Sequence, residues 1–124
     1  MTDVDATLDY YKNTLGLTEA FRVVGDDGKV GLVYLQVSRD TFVELLQANE
    51  QRPPGFNHFG IHFDDLRKAV SSLEARGADV TDVRVSSGSG SVLANLTDPN
   101  GIRIELVELP AGSKTREAMD RYPR

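Results

Sequence analysis

The feature that most restricts what this chain can fold into is an internal repeat. The segment Val30 to Gln47 returns in degenerate form sixty-one positions later as Ser91 to Glu108. At that offset Leu32 falls on Leu93, Leu35 on Leu96, Val43 on Ile104, Glu44 on Glu105, Leu45 on Leu106 and Leu46 on Val107. Gly16 likewise falls on Gly77. A repeat of this length implies one supersecondary unit used twice. A carboxylate that returns inside an otherwise apolar strand is hard to explain by packing, because a buried unpaired carboxylate costs several kcal/mol or takes up a proton. Two of them in equivalent places suggest a shared partner, most simply a cation.

Element order follows from periodicity. Val4, Leu8, Tyr11 and Leu15 recur at helical spacing behind a cap at Thr2 or Asp3, and Gly16 is placed to end a helix over about residues 3–15. Strands are expected at 18–24 and 29–37, turned by Asp26-Asp27-Gly28, and at 41–47. The polar stretch 48–55, with Pro53-Pro54-Gly55, reads as a linker. Beyond it come a strand at 57–63, a helix from Leu66 to Leu73 capped by Asp65 and ended by Gly77, and strands at 80–85, 91–97 and 102–108. The second half thus reads strand, helix, three strands; the first reads helix, three strands. Matching Asp3-Val4 to Asp65-Leu66 puts the counterpart of His58 before Met1. The expectation is that either the true start lies upstream or this first half has given up its opening strand.

The fold expected is α+β: two tandem βαβββ modules, the first lacking its opening strand, whose mixed sheet curls around a cavity. The organisation expected is a single domain over 1–124, with module one at 1–50, the linker at 48–55, module two at 56–109 and a helical tail at 110–124, helical over 113–121. A chain of 124 residues buries roughly 65–70% of its unfolded surface and needs no staple. A net charge of −5 argues against nucleic acid or an anionic membrane as partner and leaves a small molecule or a protein. The absence of cysteine excludes disulfides and thiolate chemistry and fits a cytoplasmic setting.

Alternation along the strands separates packing from chemistry. Phe59, Ile61 and Phe63 share one face, expected to pack on helices, and His58, Gly60 and His62 share the other, expected to be polar and open. If the strands curl into one sheet, Glu44, His58 and Glu105 point into a common hollow. One imidazole and two carboxylates suit Zn²⁺, Ni²⁺, Mn²⁺, Fe²⁺ or Mg²⁺, and the sequence does not choose among them. Each residue has an ordinary alternative, His58 as a satisfied strand histidine and the two glutamates as solvent-facing residues of half-exposed strands; the repeat weighs toward ligands. His62, about 13 Å along the strand from His58, is too far to share an ion with it and reads as pocket lining or surface. Ser86 to Ser91 lacks the lysine of a phosphate loop and reads as a flexible connection, with a lid over the hollow as the alternative.

Three stretches carry a family resemblance: Asp5-Ala6-Thr7-Leu8-Asp9-Tyr10-Tyr11 with Leu15-Gly16-Leu17, His58 through Leu66, and Asp98-Pro99-Asn100-Gly101-Ile102-Arg103-Ile104-Glu105-Leu106. In order and spacing, together with Phe42-Val43-Glu44-Leu45, they resemble the vicinal oxygen chelate superfamily of glyoxalase I, methylmalonyl-CoA epimerase, extradiol dioxygenases and bleomycin-resistance proteins. The resemblance implies metal ligands at Glu44, His58 and Glu105, with Glu105 also the candidate catalytic base. The family's fourth ligand, a histidine or glutamine on the opening strand, has no counterpart. It further implies a glyoxalase-type lyase or isomerase working through an enediolate on a small carbonyl or thiol-adduct substrate. The competing class is a metal-free ligand-binding protein of the bleomycin-resistance type. An extradiol dioxygenase is disfavoured, because its triad needs the absent first-strand histidine. A homodimer is expected, both from the family's habit and because an uncovered sheet edge invites pairing. Arg22, Arg52 and Arg103 are candidate anion contacts.

Overall fold

A computed structural model describes residues 1–123. Two compact units make up the chain: Met1–Phe56 with the residues from Ala118 onward, and Asn57–Glu117. In the first, helix α1 (Val4–Asp9) is capped by Asp3, whose carboxylate accepts from Ala6 N at 2.9 Å, and three strands follow: β1 (Thr18–Val24), β2 (Val30–Ser38) and β3 (Thr41–Leu46). They form an antiparallel sheet in the order β1-β2-β3. Gly28 turns β1 into β2 with φ +77°, a conformation that favours glycine.

The second unit holds β4 (His58–His62), α2 (Leu66–Ala75), β5 (Arg84–Val85), β6 (Val92–Thr97) and β7 (Arg103–Glu108). Its sheet order is β4-β7-β6-β5, with β4 parallel to β7 and the other pairs antiparallel. The N-terminus of α2 is closed by two carboxylates, Asp65 accepting from Lys68 N and Glu108 from Leu66 N, as the exposed amides of a helix start require. Among the described residues no helix is long and apolar enough to cross a membrane. The fold is α+β, as the element order implied; in place of one mixed sheet there are two, an antiparallel one of three strands and a mixed one of four.

The repeat extends to hydrogen-bond register. Tyr34 faces Glu44 and Leu35 faces Val43 in the first sheet; in the second, sixty-one positions on, Asn95 faces Glu105 and Leu96 faces Ile104. Met1 N donates to Leu46 O at 2.5 Å as Phe63 N donates to Val107 O at 2.8 Å. The cores are assembled from the same positions. Leu8, Val33, Leu35 and Leu45, with Val4 and Val43 against them, fill the first; Val70, Ala94, Leu96 and Leu106, with Leu66 and Ile104, fill the second. Helix and sheet bury one face each and leave the other side of the sheet for Glu44 or Glu105.

Several expectations are corrected. The first helix does not run evenly to residue 15: beyond α1 the turn over Tyr10–Thr14 is of the wider π kind, with Leu15 N bonded to Tyr10 O at 3.0 Å. The wider turn breaks the 3.6-residue period, and Leu15 is 51% exposed rather than on the buried stripe. The strand expected at 80–85 shrinks to Arg84–Val85. Upstream of it Thr81 N donates to Asn95 O, but Asn95 N donates to the Thr81 hydroxyl instead of a main-chain carbonyl, which interrupts the ladder. Phe59 and Ile61 are 44% and 43% exposed, because β4 is an edge strand and α2 packs over Ala94 and Leu106 further in.

The serine-rich segment is an anchored turn, not a loose connection. Ser89 and Ser91 are buried, their hydroxyls 3.1 Å apart, and Ser89 O accepts from Lys114 N at the start of helix α3 (Lys114–Arg121). The end of α3 belongs to the first unit, where Ala118 O accepts from the buried Gln36 amide and Arg121 donates to Ala20 O.

One turn carries a pH signature. Asp98 accepts from Asn100 N at 2.8 Å and Ile102 N at 2.9 Å, and chiefly the Ile102 amide holds its carboxyl below the usual aspartate range. A depressed carboxyl stabilises the fold above its unfolded value and loses that contribution as pH falls through the folded one. Thermal unfolding between about pH 5 and pH 2 is therefore expected to fall less steeply in Asp98→Asn than in the wild type.

Candidate functional site

His58 and Glu105 come together within the second unit. Parallel pairing sets His58 beside Arg103 and Gly60 beside Glu105 on the face of the sheet turned away from α2. His58 Nε2 lies 3.4 Å from Glu105 Oε2, and the two side chains are only 7% and 13% exposed. The histidine face is thus polar, as alternation predicted, and open at Gly60 and His62, but little exposed at His58. Gly60 puts no side chain between His58 and His62, and a Cβ there would meet Glu105 O at 3.6 Å and a Val107 methyl at 3.8 Å.

The other ring nitrogen is contested. Nδ1 is 2.7 Å from Asn57 Oδ1 and 2.9 Å from Arg103 Nη2. Donation from Nδ1–H to Asn57 leaves the Nε2 lone pair facing the Glu105 side, the tautomer a metal ligand needs. Donation from Arg103 to Nδ1 requires the opposite tautomer, with Nε2–H directed at Glu105. Asn57 and Arg103 therefore pull the imidazole toward different states, and neither was singled out for this role by the sequence.

The donor set fits a divalent ion. Two ligand atoms each about 2.0–2.2 Å from one zinc-like ion at a tetrahedral angle lie about 3.4 Å apart, the separation found between His58 Nε2 and Glu105 Oε2. Glu44 is half-buried on β3 of the first unit, opposite Tyr34 and on the sheet face away from α1. His62 is exposed and stays outside the buried pair. Two of the three candidate anion contacts are committed elsewhere: Arg22 grips Glu19 at 2.8 and 2.6 Å, lowering that carboxyl's proton affinity, and Arg52 donates twice to Gln47 O.

Comparison with known proteins places the chain. The family model for the glyoxalase/bleomycin resistance protein/dioxygenase superfamily matches residues 1–106, and the chain belongs to that family. A lactoylglutathione lyase of Arabidopsis thaliana is 30% identical over 114 residues, which are 86% of this chain and 40% of that protein, so the chain spans well under half of the plant relative. A lactoylglutathione lyase of Neisseria meningitidis is 24% identical over 118 residues, covering 89% of this chain and 86% of the relative. Among solved structures, the methylmalonyl-CoA epimerase of Streptomyces coelicolor superposes with a TM-score of 0.73 over 90% of both chains at 23% identity, a likeness of fold.

Proposed function

We propose that the protein is a metal-dependent lyase or isomerase of the glyoxalase type, with Glu44, His58 and Glu105 as the residues that hold a divalent ion. The observation that carries this reading is the buried His58–Glu105 pair at donor spacing, reinforced by the return of Glu44 as Glu105 in the same register. The similarity to lactoylglutathione lyases supports a thiol adduct of a small 2-oxoaldehyde as substrate.

A bound divalent ion would supply stabilisation of negative charge on two adjacent substrate oxygens. The chain's own residues do the rest. Glu105 takes the proton from the hydroxyl-bearing hemithioacetal carbon and returns it to the neighbouring carbonyl carbon, while the hydroxyl proton passes to that carbonyl's oxygen, so a ketone beside a hemithioacetal becomes a 2-hydroxy thioester with no net gain or loss of electrons. The low exposure of His58 and Glu105 keeps water from competing for that proton. His58 fixes the site from β4 and Glu44 adds the second carboxylate from β3. The small-molecule reading and the expected homodimer belong to the same proposal.

A second reading has an observation of its own. Arg103 donating to Nδ1 stabilises the tautomer that cannot ligate through Nε2, which favours a metal-free binding protein of the bleomycin-resistance type.

Elemental analysis of the purified protein, before chelation and after reloading with Ni²⁺, Zn²⁺, Mn²⁺ or Fe²⁺, decides between them. About one ion per chain, lost in Glu105→Gln, with turnover of a methylglyoxal hemithioacetal by the loaded protein, is the expected result. No retention of any of the four ions at micromolar concentration would overturn the enzyme reading.

A further inference from the structure

Among the described residues, one buried side-chain oxygen has no hydrogen-bond partner: Asn95 Oδ1. An orphaned buried acceptor costs about 1–3 kcal/mol, so its position is informative. Asn95 sits on β6 directly opposite Glu105 on β7, and side chains so paired share a face with Cβ atoms about 4.5–5.5 Å apart. Its main chain is fully engaged, N donating to the Thr81 hydroxyl at 2.8 Å and O accepting from Thr81 N at 2.9 Å. The buried side-chain carbonyl is left over, on the position paired with a carboxylate. Two acceptors side by side are arranged for something positive.

The first unit shows that the fold does not require this. The position equivalent to Asn95 is Tyr34, opposite Glu44, and its ring stacks on Phe21 with centroids 4.6 Å apart. There the site beside the glutamate is filled by packing; in the second unit it carries an oxygen instead. Amide oxygens are hard ligands that serve cations alongside carboxylates.

We propose that Asn95 Oδ1 is a further oxygen ligand of the cation held by His58 and Glu105. The inference rests on the metal reading above and extends it: the set gains a neutral oxygen from the second module, which shifts it toward Mn²⁺ or Mg²⁺ and away from Zn²⁺. The acceptor that finds no hydrogen bond within the protein would be satisfied as a ligand.

The test is calorimetric titration with Mn²⁺ alone of the metal-free wild type, Asn95→Leu and Asn95→Asp, with thermal unfolding of each metal-free protein. Asn95→Leu is expected to bind Mn²⁺ at least about tenfold more weakly while melting no lower than the wild type, because it removes an unsatisfied acceptor. Asn95→Asp, which keeps an oxygen in place, is expected to bind at least as tightly as the wild type. Affinity unchanged in Asn95→Leu, or lowered equally in both variants, would overturn the assignment, the second outcome marking a packing role. Absence of Mn²⁺ binding in the wild type would defeat the metal reading itself and this inference with it, and so is distinguishable from failure of the inference alone.

Discussion

His58→Ala is expected to reduce divalent-metal affinity by at least about a thousandfold, close to 4 kcal/mol, while leaving the melting temperature within a few degrees of the wild type. The asymmetry comes from the sheet. His58 sits on the face of β4 turned away from α2 and contributes nothing to the apolar cluster around Leu66 and Val70. Its contacts include Asn57, Arg103 and Glu105. Removing the imidazole deletes the only nitrogen donor among the proposed ligands and leaves carboxylates, a set that holds transition metals weakly. Equilibrium dialysis against Ni²⁺ and Zn²⁺, with circular dichroism of the same samples, measures both quantities. Metal bound at wild-type affinity by His58→Ala would remove His58 from the site.

The complementary result is expected one residue along the neighbouring strand from Glu105. Leu106→Ala should cost about 3–4 kcal/mol and lower the melting temperature by roughly 10–20 °C, with the metal affinity of the molecules that remain folded unchanged. Leu106 is 2% exposed and packs with Leu66, Val70 and Ala94, so its truncation leaves a cavity under α2 that this close-packed cluster cannot easily fill. Glu105→Gln should do the reverse, sparing stability and losing metal. Denaturant titration and metal binding on the two variants together check whether adjacent residues of β7 divide packing from chemistry by face. A Leu106→Ala protein of wild-type stability would show that the second unit is held together otherwise.

The architecture was legible in the sequence because it is written twice. Leu45 and Leu106, or Val43 and Ile104, do the same work in each sheet, and their spacing identified both strands and their facing. The His58–Glu105 contact was legible for the same reason, since alternation alone put both side chains on the non-helical face. What escaped was whatever depends on a local exchange of one hydrogen-bond partner for another. The hydroxyl of Thr81 replaces a main-chain acceptor and cuts a six-residue strand to two. A wider turn at Tyr10–Thr14 carries Leu15 out of line. The serines of 86–91 look like filler by composition yet bury two side chains and tie the Ser89 carbonyl to the start of α3. Asn95 gave no signal because an amide in a strand is chemically unremarked until its oxygen is found without a partner.

The first unit draws on both ends of the chain, since the residues from Ala118 onward belong with Met1–Phe56. The buried Ala118 and Met119, and the bond from Gln36 to Ala118 O, join that unit only after the whole of the second has been made. On a ribosome the N-terminal half is therefore synthesised first and completed last. Its apolar cluster around Val33, Leu35 and Leu45 is covered from within 1–43, but the contacts at Gln36 and Ala20 must wait while the second unit, continuous from Asn57 to Glu117, emerges. The interval before those last contacts form leaves Gln36 uncovered and is a window for proteases and for sticking to neighbours.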